Sequence, residues 1–136
     1  MLVSVIIPMY NAEKYLDNLY ASLQYQEYDN LEIIFVDNNS QDHSYEKACF
    51  FAKNDPRVRV LKEPTQGVSY ARKKGFHASN GEYLYFIDSD DCVAPNGISY
   101  LVETAIKTNA DIVEGNYNTY LNDHQLATIV RRSVEK

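Results

Sequence analysis

Asp88-Ser89-Asp90-Asp91 places three carboxylates within four residues. Like charges so close repel, and without a cation one of the three would keep its proton to higher pH. Oxygen ligands of this kind suit Mg2+ or Mn2+. A divalent ion held there would bridge two phosphates of a nucleoside diphosphate. The alternative is a solvated acidic turn capping the next helix, with Asp91 a cap residue rather than a ligand. The whole chain is acidic, since 13 Lys and Arg against 19 Asp and Glu give a net charge of −6. That balance argues against nonspecific binding to nucleic acid or to an anionic membrane. An anionic ligand would therefore need local cations, from side chains or from a metal.

Other chemistries lack their residues. The first glycine of the chain is Gly67, so the loop Pro8-Met9-Tyr10-Asn11 after the first apolar run is neither a dinucleotide fingerprint nor a phosphate loop. His43, His77 and His124 have no metal spacing, and Ser40, Ser44 and Ser69 sit in no nucleophile elbow. Cys49 and Cys92 form no ligand pair and read as two reduced, mostly buried thiols of a cytosolic protein. Met1 to Tyr10 lacks the basic flank and length of a signal or membrane segment.

The elements that must hold the acidic cluster follow from periodicity. A chain of 136 residues with 45% hydrophobic content suits one compact domain over residues 1–136. Val3 to Ile7 is a β-branched strand ended by Pro8. Asn11 is placed to cap a helix from Ala12 to Gln24, with Tyr15, Leu16, Leu19, Tyr20 and Leu23 as its core stripe. Leu31 to Val36 is a second strand. Tyr45, Ala48, Cys49 and Ala52 mark a second helix that stops at Asp55-Pro56. Val58 to Leu61 is a third strand. A third helix runs from Val68 past Gly75, which weakens it, to an end at Asn80-Gly81. Tyr83 to Ile87 is the fourth strand, with Tyr83 and Tyr85 on one face. Pro95 fits the first turn of a fourth helix with the stripe Ile98, Leu101, Val102, Ala105 and Ile106. Asp111 to Tyr117 begins a fifth strand, Asn122-Asp123 makes a turn, and Gln125 to Val130 is the last strand. This alternation predicts an α/β, Rossmann-like, mostly parallel sheet flanked by helices on both faces. In such sheets ligands bind beyond the carboxyl ends of the strands. Pro8-Met9-Tyr10-Asn11, Asp37-Asn38-Asn39-Ser40 and the acidic cluster all stand at such ends.

Four segments in order resemble glycosyltransferase family 2: Val3 to Asn11, Phe35 to Asp42, Gly67 to Arg72, and Gly81 to Asp91. The resemblance covers Leu2 to about Tyr117. It implies a GT-A fold and inverting transfer of a sugar from a nucleotide sugar, usually a UDP-sugar, with Mn2+ or Mg2+ as cofactor. By position it implies that Pro8 and Tyr10 line the base pocket, that Asp37 and Asn38 meet the base edge, and that Arg72 braces the nucleotide. Asp88 and Ser89 fall on the nucleotide side. Asp88 would touch the ribose or a metal-bound water, and Asp90 would ligate the metal directly, so Asp88 and Asp90 form the metal pair. Two departures stand out. Many members carry Asp where this chain has Asn38; an amide can donate as well as accept, which leaves thymine and guanine donors open beside uracil. Lys73 and Lys74 follow Arg72 where many members have Asn, and they read as a solvated basic face.

The resemblance also implies a saccharide or lipid-linked acceptor, with the catalytic base and acceptor site in a C-terminal part expected beyond Lys136. On that expectation the chain is the donor-binding portion, and the exposed edge of its last hairpin invites self-association. The expected place is the cytoplasm or, as a peripheral protein, the inner face of the membrane. Competing readings are a noncatalytic nucleotide-binding fragment, a receiver-like signalling domain, which requires an acidic pair after the first strand, and a haloacid-dehalogenase-type phosphatase, which needs its nucleophile there.

Overall fold

The computed structural model describes residues 1–121 and 124–129. The elements run β1 (Val3–Met9), α1 (Glu13–Gln24), β2 (Leu31–Asp37), α2 (Ser44–Asn54), β3 (Val58–Lys62), α3 (Val68–Ala78), β4 (Tyr83–Phe86), α4 (Gly97–Thr108), β5 (Tyr117–Leu121) and β6 (His124–Ile129). The first four strands form one parallel sheet in the order β3-β2-β1-β4. Val3 lies opposite Leu31 on one side and Tyr83 on the other, and Ile33 lies opposite Val58.

Alternation along the strands divides the side chains between two faces. Val5, Ile7, Ile33 and Phe35 pack with Leu16, Leu19, Phe51 and Ile98, so α1, α2 and α4 share one face. Tyr20 stacks on Phe51 with ring centroids 4.0 Å apart, a contact adding about 0.5–1.5 kcal/mol beyond area burial. Tyr83 and Tyr85 pack against this same cluster, as their alternation predicts. Ile34 and Val36 point the other way, onto Ala71 of α3. Gly75 makes that packing close: a Cβ there would stand 2.5 Å from Ile6 Cγ2. The glycine that lowers helix propensity by about 1 kcal/mol thus seats α3 on β1.

β1 therefore connects to β2 across one face, while β4 is reached by α3 across the other. The strand order changes side at β1, with β2 and β3 on one flank and β4 on the other, and a crevice opens at that switch point.

Several local expectations change. β1 runs through Pro8 to Met9. The Ile6 carbonyl accepts from Ile87 N–H, so Pro8, two residues on, aims its missing N–H past the end of β4, where no bond is needed. Pro95 precedes Asn96, the N-cap of α4, and lies outside the helix. Ile106 is exposed, whereas Ile98, Val102 and Ala105 form the buried stripe. Tyr15 is 41% exposed and not core. Cys92 is exposed and Cys49 half-buried. Residues 111–116 are not a strand, and β5 pairs only with β6, antiparallel, in a separate two-stranded sheet. The Asn122-Asp123 turn and Val130 lie outside the described residues. Among the described residues no helix is long and apolar enough to cross a membrane.

Candidate functional site

A cavity of about 510 Å³ lies at the carboxyl ends of β1, β2 and β4. Pro8 and Tyr10 enter it from the end of β1 and the loop beyond, Asn38 from the loop after β2, Arg72 from α3, and Asp88, Ser89 and Asp90 from the loop after β4. Seven of the eight residues singled out in the sequence thus share one cavity. Asp37 does not line it. Its side chain turns inward at 5% exposure, with Oδ2 accepting from Ser40 N–H at 3.3 Å and a buried Oδ1 that has no partner.

The β1–α1 wall is held from outside its own segment. Ala12 N–H donates to Ser44 Oγ at 2.9 Å and Glu13 N–H to Asp42 Oδ2 at 3.1 Å. Asn11, expected to cap α1, instead sits at φ 48° and bridges loops: its N–H donates to Ser40 Oγ, and its Oδ1 accepts from Gln41 N–H at 2.7 Å. These partners engage the N–H groups of Asn11 and Ala12 just ahead of α1 and that of Glu13, its first residue. Burial pushes the Asp42 carboxyl up, but hydrogen bonds from Ser44 and Glu13 outweigh it and hold the group below its ordinary value.

On the opposite wall Arg72 Nη2 pairs with Asp88 Oδ1 at 3.0 Å. Asp90 stands beside them. Asp91 follows outside the cavity lining, and it does not cap α4, whose N-cap is Asn96. Burial first, then the charges of Asp90 and Asp88, raise the Asp91 carboxyl above its ordinary value. Among the described residues no cluster of three His, Cys, Asp or Glu forms a protein-only metal cage. Two carboxylates beside an open cavity fit Mg2+ or Mn2+ only when substrate phosphates and water complete the shell, which is how Mg2+ usually binds.

Sequence reasoning missed Tyr15, Asn11, Gln66 and Val68 as cavity residues. The Tyr15 hydroxyl, a mark of half-wet positions, was the available signal. Gln66 carried none.

The family model for glycosyl transferase family 2 matches residues 4–132. The glycosyltransferase GlyG of Streptococcus pneumoniae is 41% identical over 120 residues, covering 88% of this chain and 40% of GlyG. The UDP-Glc:alpha-D-GlcNAc-diphosphoundecaprenol beta-1,3-glucosyltransferase WfgD of Escherichia coli is 32% identical over 123 residues, covering 90% of this chain and 48% of WfgD. TarS of S. aureus, solved in complex with UDP, superposes with a TM-score of 0.73 at 27% identity, over 82% of this chain and 34% of that one. The chain therefore spans less than half the length of these relatives. The GT-A fold expected from the sequence is the fold observed.

Proposed function

We propose that this chain, which belongs to glycosyl transferase family 2, forms the donor-binding part of an inverting glycosyltransferase acting on a UDP-sugar. The observation that carries the reading is the joining of Arg72, Asp88 and Asp90 with the exposed Tyr10 ring in one cavity at the switch point. UDP as the nucleotide draws support from the UDP bound to TarS and from the donor in the name of WfgD.

Each residue has a task. Tyr10 offers a ring face for the base, with Pro8 fixing the loop beneath it. No glycine-rich loop exists, and Asp42 and Ser44 already engage the start of α1. The diphosphate must then be met by Arg72 and by a divalent ion on Asp90 and Asp88, with Ser89 between them. Bound there, the ion would supply Lewis-acid neutralisation of the leaving diphosphate. Asp88 gives up Arg72 when the nucleotide enters, and the freed guanidinium braces a phosphate oxygen.

The acceptor is a saccharide or lipid-linked sugar, a reading that the acceptor in the name of WfgD supports. A lipid-borne acceptor would bring a cytoplasmic protein to the inner face of the membrane as a peripheral one. The base that activates the acceptor hydroxyl belongs outside residues 1–136, so these residues alone, acting as one unit, bind donor and transfer no sugar. Self-association through an open strand edge is part of the same proposal. Calorimetry of UDP with Mn2+ and then with EDTA tests the core of it. Binding should require the metal, and equal affinity in EDTA would remove the ion from the site.

A further inference from the structure

We propose that Asn38 is a positioning residue of the donor cavity: its carboxamide braces the 63–67 segment as a wall, and the amide that meets the base is that of Gln66. The inference rests on the nucleotide-binding reading above. Asn38 is 4% exposed. Its Nδ2 carries two hydrogens, and both are engaged inside the protein, by the Glu63 carbonyl at 2.9 Å and the Thr65 carbonyl at 2.7 Å. Its Oδ1 accepts from Gly67 N–H at 2.9 Å. Main-chain groups complete the brace. Gln66 Nε2 donates to the Asn38 carbonyl at 2.7 Å, and Glu63 N–H donates to the Asp37 carbonyl at 2.8 Å.

These bonds allow one orientation of the amide. Flipped, it would set Oδ1 against two carbonyl oxygens and Nδ2 against an N–H. The donor capacity that distinguishes Asn38 from the Asp of many relatives is therefore directed at the backbone and not at a ligand. The brace ends on Gly67, which sits at φ 134°, where only glycine rests without strain, and which is the N-cap of α3. Fixing Gly67 fixes where α3 begins, and with it the station of Arg72. Gln66 and Val68 on either side line the cavity. Gln66 is exposed and held by its Nε2, and its Oε1 remains to accept from a ring N–H of the base.

The two ways Asn38 could serve give opposite mutant orders. If its Oδ1 read the base directly, Asn38→Asp, the stronger acceptor, would bind as well as the unaltered chain or better, and Asn38→Ala worst. If it acts as a brace, Asn38→Asp aims a carboxylate at two carbonyl oxygens with no hydrogen to offer, and falls at least as far as Asn38→Ala. The test is calorimetry of UDP, GDP and CDP with Mn2+ on the unaltered chain, Asn38→Asp, Asn38→Ala and Gln66→Ala, together with amide hydrogen exchange at Gly67 without nucleotide. The expected result is a loss of UDP affinity on the order of tenfold in both Asn38 variants, no smaller in Asn38→Asp. Gly67 exchange should quicken on the order of tenfold in Asn38→Ala. Gln66→Ala should change the ratios among the three nucleotides while Gly67 stays protected. Asn38→Asp binding UDP as tightly as the unaltered chain overturns the brace, and unchanged ratios in Gln66→Ala overturn the part given to Gln66. If the unaltered chain binds none of the three, the nucleotide reading itself fails. The brace is then judged by Gly67 alone, and an exchange rate unchanged in Asn38→Ala overturns it.

Discussion

Arg72 Nη2 stands 3.0 Å from Asp88 Oδ1, joining α3 to the loop after β4 within the cavity that both line. The two side chains are 42% and 56% exposed, so the pair adds little to stability. Its geometry matters more, because on the proposed reading each group holds the other where the nucleotide's phosphates and the metal would bind. Arg72→Ala should therefore lower UDP affinity on the order of tenfold or more while changing stability by under about 1 kcal/mol. Calorimetry and thermal melts separate the two effects, and a large loss of stability with unchanged affinity would make Arg72 a structural strut.

Asp90 and Asp91 differ in environment although they are neighbours. Asp90 lines the cavity, whereas Asp91 lies outside its lining with a carboxyl raised by burial and by its acidic neighbours. Asp90→Ala should abolish the Mn2+-dependent binding of UDP. Asp91→Ala should relieve repulsion and be milder. A calorimetric series in which Asp91→Ala does the greater damage would shift the metal pair by one residue.

The contrast between local and distant bonding explains how much could be read from the chain. The four strands and four helices of the main layers announce themselves through β-branched runs and 3.6-residue stripes, and the acidic loop after β4 lies where that rhythm puts it. What escaped notice depends on partners remote in sequence. Asn38 meets backbone groups 25 to 29 positions away. Asn11 has the composition of a cap, yet the N–H groups at the start of α1 are met by Asp42 of the loop after β2 and by Ser44, the first residue of α2. The start of α4 receives Gln26 Oε1 on Ile98 N–H, again from another segment. Pro8 breaks strands by its missing N–H, but only where a neighbour wants that N–H, and β4 has already ended there. Asp37 sits in a recognisable motif, and no local pattern says which side of the strand end its carboxylate takes.

The clasp between the loops that follow β1 and β2 should be felt in both stability and binding. Asp42→Ala removes the acceptor for Glu13 N–H and the partner of Ser44, which places it among cap losses of about 0.5–2 kcal/mol. Because the clasp holds Asn11 and Ala12 beside Tyr10, UDP affinity should fall as well. Urea melts and calorimetry measure both. Weakened stability with intact affinity would mean that Tyr10 is placed without the clasp.

Stability should also fall in acid through Glu32, at the opposite end of the sheet. Its carboxylate accepts from Ser4 Oγ, from the main-chain N–H groups of Asn80 and Gly81, and from Asn80 Nδ2, with Arg59 Nη1 at 3.6 Å. Burial raises its pKa, but these hydrogen bonds outweigh that and set the folded value below the ordinary 4.5. Asp55 behaves alike: the Arg57 hydrogen bond lowers it from 3.8 against the opposing effect of burial. A carboxyl depressed in the folded state binds fewer protons there than in the unfolded chain. Its contribution is thus fully present above the unfolded value and is lost as pH falls through the folded one. Urea midpoints should accordingly hold steady from pH 7 to about 5 and decline below about 4.5. Glu32→Gln cannot titrate, so it should start from a lower midpoint at pH 7 and decline less steeply in acid. A Glu32→Gln curve that runs parallel to that of the unaltered chain from pH 7 to 3 would show that Glu32 contributes nothing to the acid sensitivity and that other carboxyls, Asp55 first among them, carry it.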